Sequence, residues 1–189
     1  MSWWKRIREG ITTSTREKKE TPDGIWYKCP NCKAAITIKD LVANLHVCTQ
    51  CGYHDRINSF EYFHIVFDSE PKILFDELVS VDHLNFTDLK SYKDRITETQ
   101  EKTKLNDAMQ VAVGKVSEHD LVVACMDFDF IGGSMGSVVG EKISRAINYC
   151  IENNVPLLII SKSGGARMME SAYSLMQLAK TSSKLTLLA

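Results

Sequence analysis

Leu121-Val122-Val123-Ala124-Cys125-Met126, Ile131-Gly132-Gly133-Ser134-Met135-Gly136, Val155-Pro156-Leu157-Leu158-Ile159-Ile160 and Ser161-Lys162-Ser163-Gly164-Gly165-Ala166-Arg167 follow one another along the last seventy residues and decide the fold. An apolar run of strand length leads into a glycine loop, and the pattern then repeats. Between the two units, Val139, Ile143, Ala146, Ile147 and Cys150 recur at helical spacing until Asn153-Asn154 breaks the helix. Met168, Ala172, Leu175 and Ala179 form a second stripe, which we read as core. Strand, loop, helix, repeated, implies an α/β domain with parallel strands joined by helical crossovers. Upstream, Val111 and Val113 alternate with smaller or polar residues and Ser117 to Asp120 make a turn, so a hairpin leads into the first buried strand.

Both loops fall at strand carboxyl ends, just before a helix. N–H groups at a helix start have no partner within the helix, and glycine lets an acyl oxygen or a phosphate come close to them. Two such loops on neighbouring strands can polarise a carbonyl and hold an enolate; paired glycines serve tight turns and close helix packing equally well. Sharper motifs fail. A dinucleotide fingerprint lacks its first glycine, because Ile131 stands there, and Gly136 to Lys142 has the wrong spacing for a phosphate loop. Gly132-Gly133-Ser134-Met135-Gly136 matches a hydrolase elbow, yet all five histidines precede Ser134 and no aspartate follows it.

At the other end, Cys29-Pro30-Asn31-Cys32 and Cys48-Thr49-Gln50-Cys51 are two knuckles separated by fifteen residues, the ligand spacing of a structural zinc ribbon. Two disulfides or four buried thiols are the alternative, disfavoured by the zinc spacing and the want of any secretory context. Short strands at Ala35 to Ile38 and around Val47 would carry the knuckles. Cys125 and Cys150 lie in apolar stretches with no histidine nearby and read as small core residues.

The chain has 189 residues and a net charge of -1, which excludes little. The expected organisation is a basic tail at 1–24 that docks by Trp3 and Trp4, a ribbon at 25–56, a helical connector at 57–107 and the α/β domain at 108–189. In the connector, Ser59 caps a helix bearing Phe60, Phe63, Ile65 and Phe67, aromatics inward, and Asp88 to Lys102 form a charged helix. No apolar run is long enough for a signal peptide or a membrane span, so the expected location is cytoplasmic.

The ribbon, the hairpin, Asp129 to Gly136 and Ser163-Gly164-Gly165-Ala166-Arg167-Met168-Met169-Glu170 together closely resemble the β subunit of bacterial acetyl-CoA carboxylase carboxyltransferase. Trp3-Trp4, Ile25 to Pro30 and Ser174-Leu175-Met176-Gln177 extend the likeness over nearly the whole chain. The resemblance implies a crotonase-like (ClpP/crotonase) core and a reaction that passes a carboxyl group from carboxybiotin on a carrier protein to acetyl-CoA. Implied with it are one structural Zn2+, an α-subunit partner of related fold, biotin carboxyl carrier protein and biotin carboxylase. The amides of Gly164 and Gly165 would polarise the thioester, Gly132 and Gly133 would shape the neighbouring wall, and Arg167 would meet a CoA phosphate or a carboxylate, or brace its loop. The family runs on through a further strand and another Gly-Gly loop, so a truncated chain is expected. An alternative from a different class is nucleic-acid binding by the ribbon, whose Lys28, Lys33, Lys39, His54 and Arg56 stand near Trp26 and Tyr53.

Overall fold

The structure, a computed structural model, describes residues 24–188; the expected docking of Trp3 and Trp4 lies outside them. Two compact units meet in sequence between Arg56 and Ile57. In the first, β1 (Trp26–Lys28) pairs antiparallel with β2 (Ala35–Thr37). The short helix α1 (Ile38–Ala43) starts where the Asp40 N–H donates to Thr37 Oγ1 at 3.1 Å. Around Val47 there is a single bridge to His54 in place of the expected strand. The buried apolar side chains are Cys29, Ile36, Leu41 and Cys48. So small a core cannot hold a fold without a cross-link or a metal.

The second unit is built on a four-stranded sheet in the order β3 (Lys72–Leu74), β4 (Met109–Val116), β5 (His119–Met126) and β6 (Leu157–Ile160). The hairpin of β4 (Met109–Val116) and β5 (His119–Met126) pairs Val116 with His119 and Met109 with Met126. Ser117 and Glu118 make its turn with φ of 47° and 71°, the positive values a two-residue hairpin requires. The strand β6 (Leu157–Ile160) lies parallel to β5, with Val122 opposite Leu157, after the crossover helix α4 (Ser137–Asn153). Within this sheet β5 and β6 are the parallel pair and the other two pairs are antiparallel, and an isolated parallel bridge joins Met135 to Ala166.

The connector is not wholly helical. Between α2 (Ser59–Val66) and α3 (Tyr92–Thr103) it gives the sheet an edge strand, β3 (Lys72–Leu74), opposite Val113 to Val111. The cap of α2 is Asn58, one residue before the one expected: its side chain accepts the Glu61 N–H while Glu61 accepts the Asn58 N–H. Ser59 instead donates through its N–H and hydroxyl to Asp127, both at 3.0 Å. Phe63 and Phe67 are buried as expected, whereas Phe60 and Ile65 face outward. The charged helix begins only at Tyr92, because Ser91 Oγ takes the Asp94 N–H at 3.1 Å.

Val139, Ile143, Ala146, Ile147 and Cys150 all face inward, against Val111, Val122 and Ala124 of the sheet. The stripe expected on α5 (Ala172–Leu188) is overturned. Leu175, Met176 and Leu178 are exposed, and Ser174, Gln177 and Thr181 are the buried residues. The cause is a close approach to α4 at Gly140, where Gln177 lies so near that a β-carbon would stand 2.2 Å from its Oε1 and 2.6 Å from its Cβ. Alanine favours a helix interior over glycine by about 1 kcal/mol. Gly140→Ala should nevertheless destabilise the protein, by roughly 1–3 kcal/mol, because α5 must move. Denaturant unfolding measures this, and a stabilised variant would show that the approach is looser than described.

Candidate functional site

The glycine loops are neighbours. The first follows β5 and makes a 3-10 turn at Ile131–Gly133; the second follows β6 and ends in another at Met168–Glu170. Backbone bonds join them: Gly164 N–H to Gly132 O at 2.9 Å, Met135 N–H to Gly165 O at 2.8 Å and Arg167 N–H to Met135 O at 2.9 Å. Gly133 is required by this approach, since its φ is 63° and a β-carbon would fall 2.0 Å from Lys162 O. Lys162 also ties the second loop back to Ile57 O, with its Nζ over the Tyr62 ring.

The expectation of free helix-start amides needs correction. The Gly164 N–H is engaged by Gly132 O. Gly165 N–H donates to Ser163 Oγ at 3.0 Å, an exposed hydroxyl that water or a ligand can replace. At the start of α4, the Ser137 N–H already meets a protein carboxylate, Glu170 Oε2, at 2.6 Å. Gly164 and Gly165 are therefore not a pair of open donors; of the two, only Gly165 has an exchangeable partner.

Arg167 departs further from the ligand-contact expectation. Its side chain is 0 % exposed. Nη1 and Nη2 grip the Asp107 carboxylate at 2.9 and 3.2 Å, Nη2 reaches Ser134 O at 2.9 Å and Nε reaches Ser134 Oγ at 3.0 Å. Nη1 also meets Ser80 Oγ at 2.8 Å, Tyr92 OH at 3.1 Å and Glu170 Oε1 at 3.2 Å. A guanidinium so enclosed braces the loops and does not face a CoA phosphate. Burial works against its charge, but Asp107 and Tyr92 outweigh that and raise its pKa. For Glu170 burial acts to raise the pKa, and hydrogen bonds from Tyr92 and Ser137 together with the Arg167 charge bring it below its usual range.

In the ribbon, the four sulfurs of Cys29, Cys32, Cys48 and Cys51 lie within 4.8 Å of one another. Cys29 to Cys51 is 3.7 Å and Cys32 to Cys48 is 3.8 Å. Zinc–sulfur bonds of about 2.3 Å make a tetrahedron with edges of about 3.8 Å, so the donor set fits zinc with no open position. Without the ion, charge would settle unevenly. Cys51 is drawn down to about 6 by the Asn31 amide and the Tyr53 backbone, while Cys32 stands at about 11 despite the Ala34 backbone, because burial and the neighbouring sulfurs resist a second anion.

Residues 26–51 match the acetyl-CoA carboxylase zinc finger domain, and residues 77–188 match the carboxyl transferase domain. Across the whole chain, the acetyl-coenzyme A carboxylase carboxyl transferase subunit beta of Pedobacter heparinus is 60% identical, and this chain covers 68% of it. The chain belongs to this family. The Flavobacterium psychrophilum relative is 55% identical over the full chain, which covers 66% of it; the chain thus spans about two thirds of the length of these relatives. Among solved structures, transcarboxylase 12S aligns over 71% of this chain and 24% of its own, at TM-score 0.59 and 19% identity. The Pseudomonas malonate decarboxylase MdcD-MdcE hetero-dimer aligns over 70% and 47%, at TM-score 0.51 and 21% identity. These likenesses show the fold, which is crotonase-like, and the match over residues 77–188 makes it a carboxyl transferase domain. No helix among the described residues is long and apolar enough to cross a membrane.

Family membership favours carboxyl transfer over the nucleic-acid alternative, although Trp26 and Tyr53 are exposed. Among the ribbon cations, Lys33 turns its Nζ to Pro30 O at 2.6 Å. Asp107, Glu170, Tyr92 and Ser80 were not legible as site residues. Only Glu170, three residues beyond Arg167, carried a local signal; the others reach it from 60 to 87 residues away.

Two outcomes follow from these geometries. Protein isolated without chelator should contain one zinc per chain, and a strong chelator should unfold the ribbon; metal analysis finding no zinc, or four cysteines in disulfides, would contradict the site. For Glu170 the folded pKa lies below the unfolded one, so its stabilisation is complete above about pH 4.3 and fades as pH falls through the lower folded value. The stability difference between parent and Glu170→Gln should accordingly be largest near neutrality and shrink below about pH 4. A difference independent of pH would mean that the carboxylate charge does not matter.

Proposed function

We propose that this chain serves as the carboxyltransferase β subunit of an acetyl-CoA carboxylase, transferring a carboxyl group from carboxybiotin to acetyl-CoA to give malonyl-CoA, the committed step toward fatty acids. The observation that carries the reading is 60% identity along the entire chain to a subunit so named. The reading includes a cytoplasmic location, an α subunit across the site, biotin carboxylase, and a biotin carrier protein that brings the activated carboxyl group.

This chain's own contribution is a shaped, polar wall. Gly165 N–H, leaving Ser163 Oγ, would donate to the thioester oxygen as negative charge develops on it. Gly164 would support it by fixing the loop on Gly132, and Gly132 and Gly133 would form the wall beside the acyl group. Asp107 and Glu170 are both committed to Arg167, so neither serves as the base for the acetyl proton. A ureido oxygen of the biotin group would supply that function when bound.

Activity is tested by combining the natural gene product with its α subunit, carrier protein, biotin carboxylase, bicarbonate, ATP and acetyl-CoA, and following malonyl-CoA. Omitting the α subunit should abolish the product. Gly165 has φ of 113° and nothing within 4 Å of where a β-carbon would go, so the first effect of Gly165→Val is strain on the loop backbone. It should lower turnover by about two to three orders of magnitude, the usual loss for one oxyanion donor, and leave zinc content unchanged. A folded variant within a few-fold of the parent would make this loop a turn only.

A further inference from the structure

We infer that Arg167 is a positioning residue for carboxyl transfer: through Asp107, Tyr92 and Glu170 it locks the two glycine loops to each other and to the segment Ser80–Asp107. The inference rests on the proposed function only for its catalytic consequence; the mechanical part stands on geometry.

The two loops meet through three backbone bonds, two of them made by Met135, which forms a parallel bridge with Ala166. The side chains add a second set of ties. From the second loop, Arg167 reaches back to both the hydroxyl and the carbonyl of Ser134, and Glu170 reaches the Ser137 N–H, so residues on either side of Gly136 are held. Gly136 itself leaves no room for a β-carbon, which would stand 2.6 Å from Glu170 Oε1 and 2.8 Å from Arg167 Nη1. The arginine is fixed in turn from outside the loops. Asp107 is held by the Ala108 N–H at 2.7 Å and by Ser80 Oγ, and Tyr92 OH donates to Glu170 Oε1 at 2.6 Å.

A planar guanidinium meeting a carboxylate side-on defines direction as well as distance, which an ammonium cannot. Buried ion networks of this kind contribute little net stability compared with apolar packing, so their selective value is more readily placed in geometry. The wall offered to an acyl group consists of both loops, and its dimensions depend on their register. The raised pKa of Arg167 and the lowered pKa of Glu170 agree with a network that stays ionised.

The test uses the assembled enzyme carrying Arg167→Lys, which keeps the charge and loses the fork. Backbone amide hydrogen exchange should accelerate together at 134–137 and 164–167, while β4 and β5 stay protected. Turnover should fall about ten- to a hundred-fold, the scale of a 1 Å misplacement, with a smaller change in the KM for acetyl-CoA. Uniform acceleration across the sheet would make Arg167 a general stabiliser, and unchanged loop exchange with turnover within three-fold would likewise overturn the inference. If Arg167→Lys does not fold, Tyr92→Phe decides: loosening that spreads from α3 to both loops supports the lock, and loosening confined to α3 refutes it. The failures are separable, because a parent enzyme without carboxyl transfer would refute the proposed function while the exchange pattern still reported on the lock.

Discussion

The buried pairing of Arg167 with Asp107 is the constraint on which the catalytic half of this protein depends. A cation and an anion removed from water cost more to bury than they recover unless each is fully hydrogen-bonded, and here each is. Removing one member would leave the other stranded, at a cost of about 3–5 kcal/mol. The cluster includes a second acid, Glu170, and a second buried cation stands near it: Lys142 donates to Met109 O at 2.9 Å. Burial lowers the Lys142 pKa, and the attraction of Asp107 and Asp76 opposes that.

The glycines gain their meaning from this arrangement. Gly133 and Gly136 are required by what presses on them, a carbonyl in one case and the Arg167–Glu170 pair in the other. Gly165 is different: nothing stands within 4 Å of where its β-carbon would be, it holds a positive φ, and although its carbonyl accepts the Met135 N–H, its amide rests on an exposed hydroxyl. The loops are therefore fixed by backbone and side-chain bonds around one amide, that of Gly165, whose partner is an exposed hydroxyl. The ribbon follows another logic, with a core too small to fold alone and four thiols at the edge length of a zinc tetrahedron.

Periodicity made much of this legible. The inward stripe from Val139 to Cys150, the hairpin turn and the cysteine spacing depend on residues close in sequence, where local geometry governs. The α5 stripe failed because the helix that covers it is chosen by shape: Gly140 admits Gln177, and the apolar residues turn outward. The strand Lys72–Leu74 was hidden by its shortness. For Arg167 the sequence left a ligand contact and a loop brace both open; the partners that make it a brace are Ser80, Tyr92 and Asp107, and no spacing rule links residues so distant. The same limit hid the partners of the loop amides, since a backbone N–H in a loop is satisfied by whatever the fold brings to it.

A structure of the assembled enzyme with bound acetyl-CoA tests the central claim most directly. The account predicts the thioester oxygen within hydrogen-bonding distance of Gly165 N–H, Ser163 Oγ displaced from that amide, and Arg167 still sealed against Asp107 and Ser134. A CoA phosphate on Arg167, or a thioester lying away from the Gly165 loop, would contradict it.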